Sequence, residues 1–241
     1  MNYALLLSGG TGTRANSDVP KQYVRSGNLM MITYALKTLL DCEKIDSVCI
    51  VAEREWHESI VDDAKNAGCD IGRISGFAMP GSSRQMSILN GMREIMCHAG
   101  VDTVASGISS EDTILIHDAA RAFVSLELID RCYEALDGYD GVMPVLPMKD
   151  TVYLSEDGKS VAGLVDREKI YAGQAPELFR FTPYYDANAS MTEDALGRIK
   201  GASEIAYAHG MNIRMVQGDE NNFKVTTALD LERFRRIKEE A

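Results

Sequence analysis

An apolar run at residues 3–7, Tyr-Ala-Leu-Leu-Leu, breaks off into Ser8-Gly9-Gly10-Thr11-Gly12-Thr13-Arg14, and Pro20-Lys21-Gln22-Tyr23 follows. The run reads as a strand that delivers its end into a glycine turn. Glycines let the backbone turn tightly and bring N–H groups against an anion with no Cβ in the way. Arg14 adds a planar fork able to hold two oxygens, and Lys21 a mobile point charge. A strand, a glycine turn and two cations of different character make a cradle suited to a nucleoside triphosphate.

Rival readings of the turn fare worse. Gly10-x-Gly12-x-x-Ala15 fits the dinucleotide fingerprint, but that motif should open straight into a helix, with an acidic residue about 20 positions on. Here Asn16-Ser17-Asp18-Val19-Pro20 breaks any helix, and the second strand ends near Glu53. A Walker loop needs G-x-x-x-x-G-K-[ST], which does not occur. An ordinary glycine turn leaves both cations unexplained.

Strand-like and helix-like stretches alternate along the chain, which predicts an α/β fold with a mostly parallel sheet covered by helices on both faces. Strands are expected at 3–7, 47–52, 70–75, 113–116, 141–146 and 212–216. Helices are expected at 31–40, 55–67, 84–97, 126–136, 192–200, 202–209 and 228–240. Met86, Leu89, Met92 and Met96 fall on one face of the third helix, as core packing requires. Residues 149–172 break the alternation. Stretches 151–154 and 161–165 flank Asp157-Gly158 and read as a β-hairpin. A hairpin without a core of its own should project as an arm and dock on a second copy, making a homodimer. With 241 residues, one domain spanning 1–241 is expected.

Composition enters as exclusion. A net charge of −11 argues against a nucleic-acid surface, and makes any local cluster of Arg and Lys more informative. The five cysteines form no C-x-x-C or Cys/His cluster, so they read as buried thiols in a reducing compartment. No apolar run approaches the length of a membrane span and no signal peptide precedes the first strand. The expectation is a cytoplasmic protein.

Ligands of open parallel sheets sit beyond the carboxyl ends of the strands. Leaving those ends are residues 9–14 with Lys21, then 81–87, 118–121 and 150–151. Gly81 and Arg84 open a helix that Ser82 or Ser83 could cap, with Ser87 on the same side. Asp118 and Arg121 put an acid and a base past a buried strand, where Asp118 could turn the chain, hold Mg²⁺ or bind a hydroxyl. His117 reads as a structural strand-end residue. Lys224 stands in the apolar stretch Phe223-Lys224-Val225, expected as a strand, after the turn Gly-Asp-Glu-Asn-Asn.

These segments, in order, resemble the cytidylyltransferases that act on polyol phosphates, the 2-C-methyl-D-erythritol 4-phosphate and ribitol-5-phosphate cytidylyltransferase family. The carriers are LSGGTGTR (7–14), PKQY (20–23), GSSRQMS (81–87), IHDAARAFV (116–124), KDTV (149–152), DREKIYAGQAP (166–176) and NFKVTTALDL (222–231). The resemblance implies a Rossmann-like nucleotidyltransferase domain that transfers CMP from CTP to a polyol phosphate and releases pyrophosphate. It implies 2-C-methyl-D-erythritol 4-phosphate as acceptor, in isoprenoid precursor synthesis, with ribitol 5-phosphate or an idle nucleotide-binding subunit as alternatives. It implies that Ser8, Gly9, Gly10, Gly12, Arg14 and Lys21 hold the triphosphate, and that Gly81, Arg84, Ser87 and Ala119 border the nucleoside. Asp118 and Arg121 would meet the acceptor or a metal-bound nucleotide, and Lys224 the phosphate near the α-phosphorus. Thr151 and Arg167, on the arm, would reach the acceptor in a neighbouring subunit. Mg²⁺ would come mainly on the CTP phosphates. The chain departs from the family's usual Gln-Thr-Pro-Gln, with Ala175 and Glu177 in Gln174-Ala175-Pro176-Glu177. It also has Ala122 where a proline usually follows Asp-Ala-Ala-Arg.

Overall fold

The apolar run that opens the chain is sealed on both sides: Ala4 and Leu6 pack into one hydrophobic cluster, Tyr3 and Leu5 into another. Successive strand side chains point to opposite faces, so a strand with no polar alternation needs cover above and below. The computed structural model, which describes residues 1–10 and 19–239, supplies that cover with helices.

The order is β1 (Asn2–Leu7), a small hairpin β2 (Arg25–Ser26) and β3 (Leu29–Met30), α1 (Met31–Asp41), β4 (Ser47–Val51), α2 (His57–Asn66) and β5 (Ile74–Ala78). Next come α3 (Arg84–His98), the single turn α4 (Val104–Gly107), β6 (Thr113–Asp118), α5 (Leu126–Glu134) and β7 (Gly141–Pro147). The arm is β8 (Val152–Leu154) with β9 (Gly163–Val165), followed by β10 (Tyr171–Gly173), β11 (Glu177–Arg180) and α6 (Phe181–Ala189). The chain closes with α7 (Glu193–Arg198), α8 (Ala202–Ala208), β12 (Ile213–Gln217) and α9 (Ala228–Glu239).

The main sheet runs β10-β7-β11-β6-β1-β4-β5, with β12 beside β7. Pairings β6–β1–β4–β5 and β7–β12 are parallel, while β10 and β11 run antiparallel to their neighbours. One face is covered by α1, α2 and α5 through Leu36, Leu39, Ile60 and Ile129. The other is covered by α3, α6 and α8 through Leu89, Met92, Met96, Phe181, Tyr184 and Ile205. The methionine-rich face of α3 is core, as expected. A third cluster, Val24, Met31, Ala122, Val225, Leu231 and Phe234, docks α9 and the segment before it near the carboxyl end of β6.

Three expectations change. The strand anticipated at 70–75 starts at Ile74, because Asp70 accepts the Gly72 amide at 3.0 Å and bends 71–73 into a 3₁₀ turn. The short strands β10 and β11 were not legible, since runs of three and four residues leave no period to read, and the nine-residue helix α6 was not anticipated. Phe223 to Thr226 is an extended connection rather than a strand, tied by one backbone bond from Val225 N to Ala120 O at 2.9 Å. The arm is a separate two-stranded antiparallel ribbon, in register Val152↔Val165 to Leu154↔Gly163. Among the described residues, no helix is long and apolar enough to cross a membrane.

Candidate active site

The end of β1 is held from within by the Pro-Lys-Gln-Tyr segment. Gln22 Nε2 donates to Ser8 O at 2.7 Å and to Gly10 O at 2.6 Å, and the Ser8 and Tyr23 hydroxyls meet at 2.9 Å. Gln22 and Tyr23 are buried, and the Tyr23 ring stacks on Trp56 with centroids 4.0 Å apart. The hydroxyl of Ser8 is thus engaged inside the fold. Lys21 opens this turn with a partly buried side chain. Gly12 and Arg14 lie outside the described residues.

The glycine turn abuts the start of α3. A Cβ on Gly9 would come within 2.5 Å of Pro80 Cβ, and one on Gly81 within 2.4 Å of Met86 Cβ, so neither position admits a side chain without movement. Ser83 caps α3 by accepting from Met86 N at 3.1 Å. Ser87 Oγ accepts from Gly81 N at 3.0 Å and donates to Ser83 O at 2.9 Å, which shapes the loop that presents Arg84.

Asp118, the last residue of β6, is the hub. Its Oδ1 takes Arg84 Nη2 at 3.2 Å, and its Oδ2 takes Lys224 Nζ at 2.7 Å. Burial by itself would raise the Asp118 carboxyl, but Arg84, Lys224 and Arg121 outweigh it and hold the group well below the usual carboxylate range. Burial would likewise lower the Arg84 guanidinium, and Asp118 with Glu177 raises it instead. Arg121 is lowered by burial, with Asp118 and Glu177 opposing. As a metal ligand Asp118 does not fit, because each of its oxygens already faces a cation. Among the described residues no three His, Cys, Asp or Glu side chains gather to hold a metal.

The neighbours of Asp118 are tied closely into the fold. Ala119 is fully buried and its N–H donates to Leu7 O at 3.0 Å, which ties the end of β6 to β1. His117 is also fully buried; its Nε2 lies 3.0 Å from Arg121 O, and burial pushes the ring down to about 4, so it stays neutral. Arg121 Nη1 donates to Asn222 O at 2.6 Å. Arg84 Nη1 and Arg121 Nε are buried donors with no partner among the described residues. Polar atoms left unpaired inside a protein are uncommon and expensive, and they collect at functional sites.

A cleft of about 620 Å³ opens over this hub. Its lining takes Arg84, Asp118, Arg121 and Lys224 from the expected set, and adds Met143, Gly173, Gln174, Glu177, Lys200, Ser203 and Tyr207, among others. Thr151 and Arg167 are exposed on the arm and do not line it; Arg167 Nη1 donates to Lys149 O at 3.0 Å.

Several residues that shape the site carried no signal on their own. Gln174 Nε2 donates to Asp219 O at 2.9 Å and its Oε1 accepts Asp219 N at 3.0 Å. Asn222 Nδ2 donates to Ala175 O at 2.6 Å. These bonds lash the loop that presents Lys224 to β10 and β11. A Cβ on Gly218 would meet Gln174 Oε1 at 2.3 Å and would displace the Gln174 amide from its bonds to Asp219. Glu177 Oε2 faces Arg84 Nη2 at 3.3 Å.

Known proteins resemble this chain along most of its length. Residues 3–239 match the family model described as 2-C-methyl-D-erythritol 4-phosphate cytidylyltransferase (IspD). A protein of that name from Nitrosomonas eutropha is 32% identical over 229 residues, 95% of this chain and 92% of the relative. The bifunctional enzyme IspD/IspF of Maricaulis maris is 31% identical over 233 residues, 97% of this chain but 56% of the relative, so the chain spans about half of such two-part proteins. Among solved structures, 4-diphosphocytidyl-2C-methyl-D-erythritol synthase from Anaerococcus prevotii shares the fold with a TM-score of 0.78 and 21% identity, covering 99% of this chain and 96% of its own. The chain belongs to the 2-C-methyl-D-erythritol 4-phosphate cytidylyltransferase family.

Proposed function

We infer that this protein is a CTP-dependent cytidylyltransferase that moves CMP from CTP to 2-C-methyl-D-erythritol 4-phosphate and releases pyrophosphate. The observation that carries the reading is the meeting of Arg84, Arg121 and Lys224 around Asp118 in one cleft, in a chain whose net charge is −11.

An oxygen of the acceptor's phosphate attacks the α-phosphorus in line, a new P–O bond forms, and the bond to the pyrophosphate oxygen breaks. The attacking oxygen is already ionised at neutral pH, so no general base is needed. The obstacle is the approach of two polyanions and the charge growing on the leaving group. Preorganised donors answer both, and they cost no reorganisation at the moment of reaction. Lys224, steadied by Asp118 at 2.7 Å, serves the reacting phosphate. Arg121 holds the acceptor, and Gly9, Gly10, Gly12, Arg14 and Lys21 hold the triphosphate. Gly81, Arg84 and Ser87 shape the nucleoside side, with Arg84 acting mainly as a brace between Asp118 and Glu177. Mg²⁺ would come on the triphosphate and would offset phosphate charge there. A cytoplasmic location fits cysteines that are free, with Cys42, Cys49, Cys69 and Cys132 buried.

The arm supports a homodimer. Leu164 is 71% exposed and Val161 66%, an apolar surface that none of the described residues covers. Thr151 and Arg167 then serve the acceptor in the neighbouring subunit. Arg167→Ala should raise the acceptor KM several-fold and leave the CTP KM nearly unchanged; equal effects on both would remove the arm from the acceptor site.

Pyrophosphate release, followed with CTP, UTP and ATP against methylerythritol, ribitol, glycerol and erythritol phosphates, tests the whole reading. CTP with 2-C-methyl-D-erythritol 4-phosphate should be the fastest pair. Faster turnover with ribitol 5-phosphate would move the acceptor, and no release with CTP and any acceptor would refute the activity.

A further inference from the structure

Among the described residues, four cationic side chains line the cleft: Arg84, Arg121, Lys200 and Lys224. Three are committed. Arg84 is shared between Asp118 and Glu177, Arg121 Nη1 is spent on the Asn222 carbonyl, and Lys224 is paired with Asp118. The ammonium of Lys200 has no hydrogen-bond or ion-pair partner among the described residues.

Its mount, by contrast, is firm. Lys200 N donates to Glu204 Oε2 at 2.7 Å. Ser203 N and Oγ both donate to Glu177 Oε1, at 2.9 and 2.7 Å. Glu177 is buried and its second oxygen faces Arg84 at 3.3 Å. The turn at 200–203 is therefore anchored to the same ionic network that surrounds Asp118. A free charge on a fixed turn, at the wall of a cleft built for anions, has a clear use.

We propose that Lys200 binds the phosphate monoester of the acceptor and so sets the affinity for it. This rests on the cytidylyltransferase reading and deepens it. A phosphate monoester carries nearly two negative charges at neutral pH, and it must settle beside a triphosphate. A lysine with no internal partner surrenders no ion pair when it meets that phosphate, so its contribution to binding is not offset by a broken contact. Lys224 shares its charge with Asp118 and acts at the reacting end; Lys200 supplies the uncommitted charge that draws the acceptor in. Such attraction is screened by salt.

The test is steady-state kinetics on Lys200→Ala and Lys200→Arg, with CTP and the acceptor varied separately at two salt concentrations. Lys200→Ala should raise the acceptor KM by about tenfold, the scale of one charge-assisted hydrogen bond at a partly exposed site. The CTP KM and kcat should stay close to wild type, Lys200→Arg should restore most of the affinity, and the salt dependence of the acceptor KM should become shallower. An unchanged acceptor KM in Lys200→Ala, or an equal rise in the CTP KM, would overturn the proposal while the activity stands. Absence of pyrophosphate release by the wild type with every polyol phosphate would instead refute the underlying reading.

Discussion

Lys224→Ala should lose at least about 10²-fold in turnover, the scale observed when one preorganised donor to a developing charge is removed. The fold should survive, because Lys224 sits on an extended connection and its side chain is 39% exposed. The loss should appear in kcat more than in either KM, since the ammonium is expected at the reacting phosphate and not at the sugar or base. Lys224→Arg keeps the charge but replaces a compact ammonium with a planar fork, so partial activity at best is expected. Full turnover in purified, folded Lys224→Ala protein would remove this lysine from the mechanism.

Asp118→Ala should damage both stability and activity. The substitution leaves Arg84, Arg121 and Lys224 facing one another without the carboxylate that separates them. Breaking a buried ion pair by deleting one partner is far costlier than losing an exposed one. Lys224 reaches solvent, which places the expected cost at the lower end of that range, about 2–3 kcal/mol. For a chain of this size that corresponds to a fall of roughly 5–10 °C in Tm. Activity should fall with it, since Lys224 loses its anchor.

The pH dependence of that stability has a defined sign. The Asp118 carboxyl is held below its ordinary value in the folded protein, so its contribution is complete above the unfolded value, about 4. It is lost as the pH falls below that. The stability gap between wild type and Asp118→Asn should be flat above about pH 5 and should close in more acidic solution. His117 acts in the same direction over a higher window. Its ring is pushed down to about 4 by burial, so the unfolded chain takes up a proton below about 6.5 that the folded chain refuses. Urea midpoints measured from pH 7 to pH 3 check both; a wild-type midpoint that does not fall with acid would contradict the buried, neutral His117 and the ionised Asp118 alike.

Much of the site could be read from single stretches of sequence because its charged residues sit at strand ends. Asp118 terminates β6 and Arg84 starts α3, and the apolar patterns on either side locate both ends. Lys224, which the apolar stretch around it places in a strand, stands instead on an irregular connection, and its pairing with Asp118 emerges only from the fold. The metal role suggested for Asp118 was not supported by its surroundings: its neighbours prove to be cations that come from residue 84 and residue 224, and no local pattern reveals that pairing. Ser8, Ala119 and Ser87 turned out to shape the backbone around the site through hydrogen bonds of their own.

What stayed hidden are the polar side chains whose partners are distant. Gln22 reads as an ordinary glutamine until it is seen holding the carbonyls of Ser8 and Gly10. Gln174 and Asn222 gain meaning only when the antiparallel strands β10 and β11 are wedged beside β7, bringing residues 174 and 219 into contact. Lys200 lies outside every motif and becomes notable because, among the described residues, the other three cations of the cleft already have partners.

From the order of its residues this chain determined where strands end, which turns lack side chains and which cations stand nearby, because backbone sterics and hydrophobic period act over a few residues. Tertiary structure decided which of those charges neutralise one another and which remain available. That outcome depends on packing: the cluster of Met31, Val225 and Phe234 docks α9 and brings Lys224 within 2.7 Å of Asp118. Coulomb energies in a partly buried cleft change steeply with distance and solvent exposure, and neither quantity exists until the chain has folded.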